Sequence, residues 1–167
     1  IYLSNVLGHF QSEISHVPLS EYFGGLMSQY DLVVYLGERE DKELPEAFLS
    51  DIPKFGNTTV LWIRGYVERL LTRDKDYFGF QILRPAGGFD TIHYQNQTLR
   101  RRDFERIRPI QITQWGLAQM HGMLESPLGS VPFSVHAKNL WYFTDDVLQD
   151  SSYLVFCDLL HDVLRIP

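Results

Sequence analysis

Trp62, Arg64 and Tyr66 fall on alternate positions of the segment VLWIRGYVERL. On an extended strand that spacing sets a ring, a guanidinium and a second ring on one face, beside Gln81 and His93 of the strands that follow. Such a row suits a single-stranded polynucleotide: bases stack on rings for about 1–3 kcal/mol each while cations track the phosphates, and any base will do because each has a π-face. Arg69, Arg84 and the run Arg100, Arg101, Arg102 extend the set. The alternative is packing, with Trp62 and Tyr66 covered by residues 1 to 56, since aromatics on strands commonly serve a core.

The net charge of −6 conceals a partition. Residues 1 to 59 hold nine acids and three bases, residues 60 to 110 hold six and ten, and residues 111 to 167 hold six and two. Any polyanion must therefore meet the middle third, because phosphate neutralisation supplies most non-specific affinity. The same arginines can instead pair with Asp74, Asp76, Asp103 and Glu105. Three bases at the start of the inter-strand helix, Arg100 to Arg102, oppose the helix dipole, which hints at an acidic partner.

Other chemistry finds little support. His93, His121 and His136 lack acids or histidines at ligand spacing, so no metal or other cofactor is expected. G-x-S-x-G, H-E-x-x-H and Walker A patterns are absent, and no enzymatic activity is expected. The single cysteine, Cys157, lies in an apolar stretch and reads as packing material.

The elements that must position these residues read as one domain, as 167 residues with 44% hydrophobic content imply. The 12 glycines and 8 prolines show no period, and no apolar run approaches membrane-spanning length. With no basic-then-apolar start, the expectation is a soluble, intracellular and nuclear protein. Residues 1 to 56 form an extension with a strand at Asp31 to Leu36 and a helical turn or two at Glu43 to Leu49. Thr58 to Thr72 reads as a long strand bent at Gly65, because glycine inside a strand marks a bulge or corner. Tyr77 to Arg84 and Phe89 to Thr98 complete a meander. Arg101 to Ile107 forms a short helix, Gln111 to Glu125 and Val131 to Phe143 two more strands. A closing amphipathic helix carries Phe156, Leu159, Leu160, Val163 and Leu164 at helical spacing.

Three strands, a helix, two strands and a glycine-bent first strand resemble the OB-fold, a five-stranded Greek-key barrel. The resemblance covers residues 57 to 144 and is carried by VLWIRGYVERL, YFGFQIL, GLAQMHGMLE and SVPFSVHAKNLWYF. In rhythm these are similar to OB domains of replication protein A, of the telomeric CST complex and of tRNA synthetase anticodon-binding domains. The fold class expected is thus mainly β with α: an OB-like barrel, an N-terminal extension and a C-terminal helix over residues 145 to 167. The resemblance implies a subunit of a telomere-capping or replication complex that binds single-stranded DNA or RNA. Partner subunits would dock on the C-terminal helix. An OB-like scaffold binding proteins alone is the alternative, motivated by the acidic flanks.

Overall fold

The computed structural model describes residues 7–8, 13–37, 43–65, 67–74, 76–101, 106–144 and 156–163. Nine strands are defined among them: β1 Leu32–Leu36, β2 Thr59–Ile63, β3 Phe80–Ile82, β4 Thr91–Tyr94, β5 Gln97–Arg100, β6 Ile110–Ile112, β7 Ala118–Ser126, β8 Gly129–Ala137 and β9 Leu140–Phe143. Two α-helices are α1, Glu46–Lys54, and α2, Glu68–Arg73. Seven strands make one mixed sheet in the order β1-β2-β9-β8-β7-β4-β5, and β3 pairs with β6 in a separate ribbon.

The five-stranded OB barrel expected from the sequence is not formed. β2 runs parallel to β1 on one side and to β9 on the other, whereas the expectation was an antiparallel meander starting at this segment. Nor is Thr58 to Thr72 a single bent strand. Arg64 and Gly65 both take positive φ, 61° and 70°, which ends β2 and leads into α2. The expected second and third strands shrink to β3 and to the β4–β5 hairpin, whose turn is made by Gln95, at φ 50°, and Asn96. Gln111 to Glu125 divides into β6 and β7, and Val131 to Phe143 into β8 and β9.

Both faces of the parallel strands are covered, which is why β2 and β9 read as unbroken apolar runs, VLWI and LWYF. On one face Val60, Trp62, Leu140 and Tyr142 meet Phe48, Leu49 and Ile52 of α1, Leu70 of α2, and Phe80 and Ile110 of the ribbon. On the other, Leu61, Ile63, Trp141 and Phe143 meet Phe156, Leu159 and Leu160. A three-layer arrangement results, helices and ribbon on one side of the sheet and the C-terminal helical turns on the other. Between Val135 and Phe133, β8 changes which core it faces. Opposite that point stands Gly122, at φ 77°, where a Cβ would lie 3.0 Å from the His93 carbonyl oxygen.

Residues 13 to 37 and 43 to 56 take part in this fold. They supply β1 and α1, a strand-helix unit that precedes the parallel partner β2. Asn139, in the turn between β8 and β9, donates its side-chain amide to the carbonyls of Ile52, Phe55 and Thr58 at 2.9, 3.2 and 3.0 Å. The end of α1 is thereby tied to β9. The buried Asp51 carboxylate accepts the Tyr22 hydroxyl at 2.8 Å and the Gly25 amide at 2.6 Å, anchoring the stretch ahead of β1. Burial, reinforced by Asp51, raises the Tyr22 hydroxyl well above its ordinary pKa. Among the described residues no helix is long and apolar enough to cross a membrane.

Candidate functional site

Sheets with parallel strands bind ligands outside the strands' carboxyl ends, and here β1, β2 and β9 end together. The Gly37 amide donates to the Ile63 carbonyl at 2.8 Å, and the Arg64 amide to the Phe143 carbonyl at 2.9 Å. Arg64 is thus the last residue held in the ladder and the first of a sharp turn into α2. Its positive φ is costly for a residue with a side chain, about 1–3 kcal/mol, and persists only where the surroundings enforce it. The surroundings are Gly37, whose missing Cβ would fall 2.6 Å from Gly65 Cα and 2.7 Å from the Arg64 carbonyl oxygen. A strained strand-to-helix turn is also where α/β hydrolases display a nucleophile. Arginine holds that place here.

Beside the turn, Glu68 of α2 forms an ion pair with Arg108, both side chains about a third exposed at 32% and 31%. The other carboxylate oxygen, Glu68 Oε2, is buried with no hydrogen-bond partner among the described residues. Thr144, one residue past β9, donates its hydroxyl to the Arg108 carbonyl. The Tyr142 hydroxyl lies beneath them. Burial pushes its pKa far up and the Glu68 charge adds to this, while Arg108 and the Thr144 hydrogen bond act in the opposite direction. The carboxyl edge therefore brings together the Arg64–Gly65 turn, the Glu68–Arg108 ion pair and a buried phenol. It sets charged and polar groups at the edge of the sheet, with an arginine on the turn itself.

The expected nucleic-acid face is not assembled. Trp62 is fully buried between sheet and α1, its ring 4.7 Å from that of Tyr35 and 5.9 Å from that of Phe48. Arg64 no longer alternates with it, because the chain has left the strand. Tyr66 and Arg102 lie outside the described residues, as does most of the expected helix at Arg101 to Ile107. Arg101 is buried, with its guanidinium donating to the Phe89 carbonyl at 3.0 Å. Arg69, Arg84 and Arg100 are exposed on three separate elements: α2, the loop after β3, and β5. His93 stands on the open face of β4, engaged at both nitrogens, with Nε2 2.5 Å from Glu125 and Nδ1 3.2 Å from Thr98. The residues expected to hold a partner, Phe156, Leu159 and Leu160, are buried against the chain's own sheet. The side chain of Val163, and Leu164 altogether, lie outside the described residues. Gly37, Glu68 and Thr144 carried no functional expectation from the sequence, and Arg108 counted only among the basic residues of the middle third. The available signal was the polar pair Arg64-Gly65 directly after an apolar run of strand length.

His121 and His136 sit against Trp141, at 4.5 and 4.4 Å between ring centroids and 6.2 Å from each other. Among the described residues no three potential ligands converge on a metal position. Burial lowers the pKa of both; the nearness of His136 lowers that of His121 further, while a backbone hydrogen bond at Lys138 partly opposes the shift of His136. Unfolding restores the ordinary value, about 6.5. Below that pH the unfolded chain binds protons that the folded chain does not, so stability is full above it and falls on acidification until the lowered folded values are reached. Melting temperatures measured from pH 8 to pH 5 should fall through that window, and the double substitution His121→Gln, His136→Gln should flatten the decline. A wild-type profile that is already flat there would contradict the burial of these rings.

No protein-family model and no curated protein sequence matches the chain. Solved structures share its fold, two of them as follows. An exo-β-1,4-mannosidase, Op5Man5, from Opitutaceae bacterium strain TAV5 superposes with a TM-score of 0.61 at 10% identity, over 96% of this chain and 28% of the mannosidase. A glutamine amidotransferase from Thermotoga maritima superposes with a TM-score of 0.63 at 11% identity, over 99% of this chain and 79% of the other. At such identities the likeness is one of fold. These neighbours replace the OB resemblance, and with it the expectation of a telomeric or replication subunit, of single-stranded DNA binding and of an OB-like scaffold. Nor does the fold support the expected lack of enzymatic activity, since it is shared by two proteins whose names are those of enzymes.

Proposed function

We propose that this chain is a substrate-holding domain of a carbohydrate-processing enzyme, gripping an acidic sugar at the carboxyl ends of β1, β2 and β9. The observation that carries this reading is Arg64, held at φ 61° on the turn after β2. A guanidinium is charged at every relevant pH and matches a carboxylate with two parallel hydrogen bonds. Sugar hydroxyls both donate and accept, which suits the partly exposed Glu68–Arg108 ion pair beside the turn. Of the mannosidase and the amidotransferase, the mannosidase fits this role, since the matching part is 28% of its chain, a portion of a larger carbohydrate enzyme. Covalent hydrolysis of a glutamine amide requires an activated nucleophile. Arg64 at the turn is none, and Cys157 lies across the sheet with the opposite core.

The test is calorimetric titration of the chain with an oligouronate, a neutral oligosaccharide of the same length, and glutamine. Arg64→Ala is expected to weaken oligouronate binding at least tenfold, about 1.4 kcal/mol, and glutamine is expected not to bind. Glutamine binding with release of ammonia, or oligouronate affinity unchanged in Arg64→Ala, would overturn the reading.

A further inference from the structure

We infer that the outer face of the β3–β6 ribbon, with Trp115 at its end, is a second subsite for a neutral stretch of oligosaccharide; this rests on the carbohydrate reading above. Trp115 is 74% exposed, while the other two tryptophans, Trp62 and Trp141, are buried. It stands on a pinned turn. The amides of Thr113 and Gln114 both donate to the Gly79 carbonyl, at 2.9 and 3.0 Å, and those of Leu117 and Ala118 to the Gln114 carbonyl, at 3.3 and 3.2 Å. Gly79, at φ 69°, lets the turn lie directly on β3, since a Cβ there would meet Leu117 Cβ at 2.8 Å. The ring is therefore displayed by an ordered scaffold, and little conformational entropy is lost when something covers it.

Next to the turn, Gln81 and Gln111 face each other across the ribbon, exposed, with Gln81 Nε2 donating to Gln111 Oε1 at 2.6 Å. One hydrogen bond between two amides leaves a donor and an acceptor directed outward. Thr113 and Gln114, also exposed, add a hydroxyl and a third amide. Neither YFGFQIL, residues 77 to 83, nor PIQITQWGLA, residues 109 to 118, contains a charged residue. A flat aromatic face among amides and a hydroxyl, with no charge, matches a neutral sugar: apolar C–H faces lie on the ring while hydroxyls exchange hydrogen bonds with the amides. A protein partner would require a wider apolar centre. On this ribbon the other exposed large apolar side chains are only Tyr77 and Leu83, which border it at 36% and 41%.

The experiment uses the full chain and follows tryptophan emission, to which Trp115 contributes the solvent-exposed component. Titration with β-1,4-manno-oligosaccharides and cello-oligosaccharides is expected to shift that emission to the blue. Trp115→Ala should lower the affinity at least tenfold, Gln111→Ala severalfold, and Trp115→Phe less than Trp115→Ala. Because Trp115 is 74% exposed, an unchanged melting temperature in Trp115→Ala separates lost binding from lost fold. Loss of oligouronate binding in Arg64→Ala and loss of neutral-glycan binding in Trp115→Ala are read on different ligands, so failure of the carboxyl-end reading and failure of this one give different patterns. Absence of binding by either neutral glycan at millimolar concentration, or binding that survives Trp115→Ala, overturns the inference.

Discussion

Trp62→Ala is expected to lower the melting temperature by roughly 6–20 °C. The ring is fully buried on β2, wedged against Tyr35 and Phe48 and flanked by Val60, Leu140 and Tyr142. Truncating a buried tryptophan to alanine costs about 3–5 kcal/mol, because transfer energy is lost and a cavity remains. In a domain of this size each kcal/mol moves the midpoint by about 2–4 °C. The site is unable to collapse readily, since β2 is clamped between β1 and β9 and its neighbours are large rings. Thermal denaturation followed by circular dichroism measures this directly. A change within a degree or two would place the indole in solvent, as a stacking platform requires, and would undo the layered packing described above.

The same residue shows where the sequence was legible and where it was not. The apolar run Val60-Leu61-Trp62-Ile63 carries the signature of a strand covered on both faces, and the first polar side chain after it is Arg64. Reading alternation into the run put Trp62 on the outside. The strand at Asp31 to Leu36 and the helical turns at Glu43 to Leu49 were both visible and nearly coincide with β1 and the start of α1. Strand, helix, strand at this spacing is a parallel unit. Treating the first two as an extension hid it. Other features could not be read locally. The pairing of β2 with β9 joins segments about eighty positions apart, and Glu68 meets Arg108 across forty. Neither contact leaves a periodic trace. Arg64 was singled out for its charge on a strand face, and the fold sets it instead on a strained turn at a sheet edge. His93 and the C-terminal apolar stripe were likewise recognised as distinctive, but cross-strand hydrogen bonds and the second core account for them.

Gly37→Ala carries the second large effect, and it acts on fold and site together. Gly37 follows β1 and has no need of an unusual φ; what it provides is room. An added Cβ would lie 2.6 Å from Gly65 Cα, 2.7 Å from Gly65 N and 2.7 Å from the Arg64 carbonyl oxygen, all of them backbone atoms. Side-chain ends can rotate out of such a contact, but a ladder-bonded backbone must shift bodily. Overpacking ordinarily costs 1–3 kcal/mol, and with only backbone to yield, about 3 kcal/mol or more is expected here. That corresponds to a fall of roughly 6–12 °C in the melting temperature. Gly56→Ala is the matched control, because nothing lies within 4 Å of its Cβ position, and it should stay within about 0.5 kcal/mol of wild type. The fraction of Gly37→Ala that folds must move the Arg64–Gly65 turn away from β1, carrying the guanidinium off the carboxyl edge, so oligouronate affinity should drop at least tenfold even at temperatures where the variant is native. Wild-type stability in Gly37→Ala would mean that β1 and the turn after β2 do not meet. Lost stability with affinity retained would mean instead that the turn can move while ligand binding stays where it was, and Arg64 would then not be the group that holds the sugar.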